Sequence, residues 1–284
     1  MSNSPTDHRI IYGLFFFWLI VFLVFAKHSR AVEKTYNGRV IFFNVGQGDS
    51  ALIQTPFCQD ILIDGGPDRS VIDKLDQYMG TFNRDIELAI LTHNHDDHFN
   101  GFLEIVKNSE FKIEQMIYSN ETCENKLCDE FFRVMKEKNI SMIPVNNVSE
   151  ILLSSHADYA IDILGPSKKM AQDKNLNNTS ILNLINLSGR KFLFTGDAEN
   201  EVWEEFCETY RNVEALKNTD VLKVPHHGSK NGLEKCLIDL IQPTEAIISS
   251  GEDNVFGHPH AQTLELLDSA GIIIKRTDGG DIVY

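Results

Sequence analysis

Between residues 93 and 98 the chain places His93, His95, Asp97 and His98, with Asp96 between, in the run Thr92-His93-Asn94-His95-Asp96-Asp97-His98. Imidazole and carboxylate in this density suit zinc, iron or manganese. His93 and His95 are two apart, so one turn of chain can bring both rings to one ion. Asp97 and His98 are adjacent and can serve a second ion. A polar surface loop with chance histidines is the plain alternative.

Two coordination shells need ligands from elsewhere. Thr195-Gly196-Asp197 follows an apolar run, and a carboxylate there can bridge two ions through its two oxygens. A helix cap is the simpler reading of a Gly-Asp after a strand. Pro225-His226-His227-Gly228-Ser229 also follows a strand pattern; one of the pair reads as a ligand and the other as a substrate contact. In Gly257-His258-Pro259-His260, at another strand-to-helix junction, the histidines suit an anionic group or proton donation. A polar capping loop is the alternative. Lys223, Ser229, Lys230, His258 and His260 are candidates for phosphate contact or leaving-group protonation.

These groups need strand ends and helix starts to hold them. Short β-rich runs mark strands at Val40–Val45, Ala51–Gln54, Asp60–Ile63, Leu88–Leu91 and Gln115–Tyr118. Helical patterns lie near Ser70–Tyr78, Leu103–Lys107 and Glu130–Lys138. The second half repeats the order. It has strands at Ala160–Leu164, Ile181–Leu187, Lys191–Phe194, Val221–Val224, Ala246–Ser249, Ile272–Lys275 and Ile282–Tyr284, and helices at Ala198–Tyr210, Gly232–Ile241 and Ala261–Ala270. Gly189-Arg190 reads as the turn of an antiparallel hairpin. Hairpins together with alternating strands and helices imply mixed sheets covered by helices.

Ile10–Ala26 is seventeen residues without a charge, apolar on every face. As a helix it would span about 26 Å, near the short end for a bilayer core of about 30 Å. Lys27, His28 and Arg30 can snorkel at one end and Arg9 at the other. A retained single-pass anchor fits best; a cleaved signal peptide and a buried core helix are the other readings. Residues 1–38 thus divide off as tail, anchor and linker, and 39–284 as the catalytic domain. Positive charges flank both ends of the run, so orientation stays open.

The 284 residues carry a formal charge of −15, which argues against a broad basic nucleic-acid surface. With 42% hydrophobic and 24% charged residues, global disorder is excluded. Five cysteines are too few for a disulfide scaffold. Cys123 and Cys128 can pair if the domain is exported, or stand as free thiols near a helix start. Cys58, Cys207 and Cys236 have no partner close in sequence.

His-x-His-x-Asp-His after a strand, followed by a later Gly-Asp, resembles the metallo-β-lactamase superfamily. The full order is Phe43-Asn44-Val45-Gly46-Gln47-Gly48-Asp49-Ser50, Leu62-Ile63-Asp64-Gly65-Gly66, the His93 motif, Asn177-Asn178-Thr179-Ser180, Thr195-Gly196-Asp197-Ala198-Glu199, Val221–Lys230 with its histidine pair, and Gly257–His260. That order resembles the soluble hydrolase domain of ComEC-type DNA-uptake proteins, over roughly residues 39–284.

The resemblance implies an α/β (α+β) fold, a four-layer αββα sandwich, here preceded by one N-terminal transmembrane helix. It implies a site where the two sheets meet, two divalent ions (Zn or Mn), and Asp64 orienting the metal loop from a strand end. His93 and His95 would hold one ion. Asp97, His98 and one of His226 or His227 would hold the other, with Asp197 bridging and a hydroxide between the ions attacking. Asp97, Asp197, His227 and His260 are then the catalytic set. Gly48, Asp49, Asn178, Ser180, Ser229, Lys230, His258 and His260 are the expected substrate contacts, with backbone N–H groups of the Gly46–Ser50 turn facing a phosphate. Two departures stand out. No histidine occurs in Asn177–Ser180, where the superfamily often supplies a ligand, and His95 stands where many ComEC-like chains have aspartate. One anchor also cannot form a channel.

Two divalent ions contribute +4, and two aspartates with a hydroxide remove 3, so the centre stays positive beneath an acidic surface. That favours an anionic group at the centre, while the acidic surface would repel a long polyanion at low salt. The resemblance, with the lysine after the histidine pair, implies a membrane-anchored phosphodiesterase or nuclease acting on single-stranded DNA or another phosphodiester. The alternatives are a hydrolase of a carboxyl ester, lactone or lactam, and a non-enzymatic anchored binding module. By the resemblance the domain lies outside the cytoplasm.

Overall fold

A computed structural model describes residues 38–80, 83–145, 151–155 (backbone) and 159–284. The expected anchor at 10–26 lies outside the described residues, and among those residues no helix is long and apolar enough to cross a membrane. Residues 38–284 form one compact unit.

The first sheet holds β1 (Arg39–Phe42), β2 (Ser50–Gln54), β3 (Asp60–Gly65), β4 (Asp85–Leu91), β5 (Lys112–Tyr118) and β6 (Ser141–Pro144), with β14 (Ile282–Val283) added beside β1. The second holds β7 (Ile151–Ser155), β8 (Tyr159–Ile163), β9 (Asn183–Leu187), β10 (Arg190–Phe194), β11 (Val221–Lys223), β12 (Glu245–Ile248) and β13 (Ile273–Arg276). Both sheets are antiparallel on one side and parallel on the other: β3 to β6 run parallel in the first, β10 to β13 in the second. Helices α1 (Ser70–Met79), α2 (Asp96–Asn108) and α3 (Lys126–Glu137) belong to the first half, and α4 (Asn200–Tyr210), α5 (Lys235–Ile241) and α6 (Ala261–Ser269) to the second.

Period-two alternation explains the layering. In β1, Val40 and Phe42 enter the cluster between the sheets, while Ile41 joins a separate cluster with Leu75, Phe99 and Phe131 of the helices. A third cluster packs Trp203, Phe206 and Leu237 onto Leu193, Leu222 and Ala246 of the second sheet. Three apolar interfaces therefore separate four layers, helix–sheet–sheet–helix.

Two glycines set how closely the first helix of the site approaches its sheet. A Cβ on Gly101 would meet the Gly65 carbonyl oxygen at 1.8 Å, and the Gly101 N–H donates to Gly66 O at 2.9 Å. Only glycine lets α2 sit this close to the end of β3.

Several boundaries differ from the expectation. The hairpin between β9 and β10 turns on Ser188-Gly189, both with positive φ, because Arg190 already pairs with Leu187. β6 and β7 are additional edge strands. Helix α2 begins at Asp96, so Asp97 and His98 sit in its first turn rather than in a loop. Cys123 pairs with Cys128, and Cys207 on α4 pairs with Cys236 on α5. That second bridge joins helices that pack side by side, a proximity that sequence spacing does not reveal.

Candidate metal centre

The expected metal ligands and their partners gather at the C-terminal ends of strands: Asp64 lies at the end of β3, His93 follows β4, Asp197 follows β10, His226 and His227 follow β11, and His258 lies in the loop after β12. The loops from the two sheets meet there, and the Ile181 N–H donates to Thr92 O at 2.9 Å across them.

The geometry around His98 shows how the site is organised. Its Nδ1 lies 2.9 Å from Asp64 Oδ2, and the same carboxylate accepts the Thr92 N–H and hydroxyl at 2.8 Å each. With Nδ1–H turned to Asp64, Nε2 faces the centre, buried, 3.4 Å from Asp197 Oδ2 and without a hydrogen-bond partner. His227 repeats the pattern. Its Nδ1 donates to Ser249 O at 2.9 Å, and its Nε2 stands 3.1 Å from Asp197 Oδ2 and 3.2 Å from Asp97 Oδ2. In His93, Nδ1 sits 3.2 Å from the Thr92 hydroxyl, and Nε2 faces His95 Nδ1 at 3.0 Å. The tautomers are assigned from these partners.

Donor atoms of Asp97, His98, Asp197 and His227 all fall within 4.8 Å of one another, and Asp197 Oδ1 is buried with no partner. Four inward-facing donors and an orphaned carboxylate oxygen fit a divalent cation. In the metal-free chain, protons take the place of that charge. Burial pulls His98 and His227 down, but Asp197 with Asp64 or Asp49 outweighs it and raises both well above the ordinary value. Burial pushes Asp197 up, and the two histidines hold it well below the carboxylate range. Burial, with His98 beside it, lowers His93 well below the usual value.

His226 is the other histidine of the pair that includes His227. Both residues have left-handed backbone, at φ 49° and 53°, strained for non-glycine residues. His226 Nε2 stands 4.0 Å from Asp197 Oδ2, and its Nδ1 lies 3.0 Å from Glu199 Oε1. Asn177 and Asn175 each donate to Glu199 at 2.9 Å, and these contacts with the His226 ring hold Glu199 below its ordinary value. The sequence motif Thr195–Glu199 assigns Glu199 no role of its own; its signal is its place two residues beyond Asp197.

Several expected substrate contacts face inward instead. Asp49 pairs with Lys223 at 2.6 Å and lies 3.3 Å from His227 Nδ1, all buried, so neither Asp49 nor Lys223 points to a ligand. Gly48 is a close approach: a Cβ there would meet Asp97 O at 2.5 Å, and the Asp49 N–H donates to that same oxygen at 3.2 Å. Of the turn expected to face a phosphate, the Asp49 N–H is therefore spent on α2, and the Gly46 N–H donates to Asn44 Oδ1 at 3.2 Å. Ser180 accepts the Asp197 N–H at 3.0 Å, and Asn178 accepts the Glu199 N–H at 3.2 Å, so the polar loop braces the Asp197 turn. Ser229 is buried, its oxygens accepting from Asn231 and Thr263. His258 does reach the centre, with its ring 5.6 Å from His226 and 6.2 Å from His227, and burial together with these neighbours lowers it to about 4. His260 meets the edge of His258 at 4.9 Å and accepts the N–H of exposed Lys230 at 3.1 Å.

The sequence model of the Metallo-beta-lactamase superfamily matches residues 43–252, a span that includes Asp64, the His93 motif, Asp197 and the histidine pair. The chain belongs to that superfamily. Its relatives include ComE operon protein 3 of Bacillus subtilis (strain 168), 28% identical over 283 residues, covering 93% of this chain and 34% of that protein. Recombination protein 2 of Haemophilus influenzae is 37% identical over 101 residues, covering 36% of this chain and 12% of its own length. Competence protein ComA of Neisseria gonorrhoeae is 27% identical over 117 residues, 41% of this chain and 16% of that protein. These are ComEC-type competence proteins, as the motif order indicated. The chain spans about a third of the length of the first relative and less of the other two.

Among solved structures, Igni18, a metallo hydrolase of Ignicoccus hospitalis, superposes with a TM-score of 0.55 at 17% identity, covering 87% of this chain and 98% of that one. CmlA, a diiron beta-hydroxylase of Streptomyces venezuelae, gives 0.54 at 14% identity, over 88% of this chain and 54% of that one. At these identities they show the shared fold. Family membership and the histidine–aspartate cluster make this superfamily chain a metal-dependent hydrolase related to competence proteins.

Proposed function

We propose that the chain is a phosphodiesterase or nuclease built on two divalent ions, zinc or manganese. The observation that carries this is the pair of imidazoles, His98 and His227, with Nδ1 turned to Asp64 and Ser249 and Nε2 aimed at the buried Asp197 carboxylate, beside which Asp97 stands. Asp97, His98 and His227 would hold one ion. His93, His95 and His226 would hold the other, His226 supplying the ligand missing from Asn177–Ser180, and Asp197 would serve both. Bound there, the ions would supply a Lewis acid and a water acidified toward neutral pH. Asp64, Ser249 and Glu199 keep the rings oriented. His258, with His260 behind it, stands where a proton can reach a leaving group. The charge balance and the likeness to DNA-uptake hydrolase domains favour an anionic phosphodiester.

The apolar run at 10–26 supports a membrane anchor. Two disulfides in the hydrolase domain support a position on the oxidising side of that membrane.

The test is metal analysis of the chain coupled to assays on single-stranded DNA, bis-p-nitrophenyl phosphate and a lactam chromogen. Metal-dependent cleavage of the first two, lost in Asp97→Ala, is expected. Lactam hydrolysis alone, or full DNA cleavage by Asp97→Ala, would overturn the reading.

A further inference from the structure

The loop from the end of β12 to His258 ends in two consecutive apolar residues, Val255 at 93% and Phe256 at 61% exposure, beside the candidate metal centre. Its shape is held by Asn254, whose amide donates to Gly251 O at 2.9 Å and to His258 O at 2.6 Å while its oxygen accepts the His258 N–H at 2.9 Å. A braced loop that keeps an aromatic ring in water presents that ring to something.

The ring's orientation narrows what that is. Phe256 stacks on His258 with centroids 5.7 Å apart and planes at 22°, and His258 in turn lies at 29° to His227. Near-parallel rings thus step outward from a candidate ligand to solvent. The loop between Gly251 and His260 has no lysine or arginine, and Glu252 and Asp253 precede the apolar tip. The loop itself therefore offers a phosphate backbone no cation; what it offers is a stacking face.

We infer that Phe256 is the platform on which a base next to the scissile phosphodiester stacks, so that the site takes single-stranded nucleic acid; this rests on the phosphodiesterase reading above. In a duplex both faces of each base are covered by its neighbours, so only an unpaired strand can offer one to the ring. The platform tolerates any base, because every base has a π-face.

The test uses the metal-loaded chain and two short single strands, one with all its bases and one with abasic residues on both sides of the central phosphate. The unsubstituted chain should show a KM about tenfold lower for the complete strand. Phe256→Ala should remove that preference, the loss falling on KM rather than kcat, and Phe256→Trp should keep it. A preference that survives in Phe256→Ala, or an equal rise in KM on both strands, overturns the platform. Failure of the unsubstituted chain to cleave either strand or bis-p-nitrophenyl phosphate would instead bring down the phosphodiesterase reading, and the platform with it.

Discussion

Asp64 Oδ2 lies 2.9 Å from His98 Nδ1, and this contact decides which nitrogen of His98 faces the metal centre. Asp64 ends β3 with a left-handed backbone, φ 55°, and also accepts two hydrogen bonds from Thr92. One buried carboxylate thereby fixes both the ring of a candidate ligand and the start of the loop that carries His93. Asp64→Asn should weaken metal binding by about 10–100-fold. Metal titration of the substituted chain checks this; unchanged affinity with unchanged activity would remove Asp64 from the support of the centre.

Chelation should make stability depend on pH in a particular direction. In the metal-free chain His98 and His227 are raised well above 6.5. A raised folded-state value means that their stabilisation is fully present below pH 6.5 and is lost as pH rises through the raised values. Asp197 is depressed below 3.8, so its contribution disappears only as pH falls below that. The melting temperature of the chelated chain should fall from pH 6.5 upward, and added zinc or manganese should raise it most at the alkaline end. A gain from metal that is the same from pH 6 to pH 9 would contradict this.

Much of this layout was legible in the sequence because local patterns carried it. The continuous apolar run Val40–Phe42 marks a strand buried on both faces, and the His93 motif following Leu88–Leu91 marks a strand end with candidate ligands. What stayed hidden depends on contacts distant along the chain. Lys223 after an apolar run reads as a phosphate contact until Asp49 is found 2.6 Å away. Ser180 and Asn178 read as a polar loop reaching for substrate, because only the folded chain shows Asp197 and Glu199 taking their oxygens. β6 is hard to read in the sequence because Ser-Met-Ile-Pro is only four residues long, ends in proline and has no period-two alternation of apolar and polar residues. The Ser188-Gly189 turn was displaced by one residue because serine seldom adopts the left-handed region.

Gly101 couples packing to the centre. Gly101→Ala would drive a methyl against Gly65 O, where the gap is 1.8 Å, and both atoms belong to the main chain. Helix α2 must then move, at a cost of about 1–3 kcal/mol. Asp97 and His98 lie in its first turn, so metal affinity should drop together with stability. Denaturant unfolding and metal titration on the same sample check this; a loss in only one would show that α2 does not move as a unit.

The bridge between Cys207 and Cys236 closes a loop with a sequence separation of 29, running from α4 through the β11 strand and the His226–His227 turn to α5. Closing a loop of this size restricts the unfolded chain and is worth about 2–4 kcal/mol. Cys207→Ser with Cys236→Ser should lower the denaturant midpoint by a corresponding amount. The bridge joins the outer helices, whereas His227 is held by Ser249 and Asp49 from other elements. Metal content at saturating metal should therefore survive the double substitution, and so should activity measured well below the new midpoint. Mass spectrometry of the unreduced chain gives the direct check: four cysteines should resist alkylation and exposed Cys58 should react. Ready alkylation of Cys207 and Cys236 in the folded chain, or a midpoint untouched by the double substitution, would remove this bridge from the account of what holds the second half together.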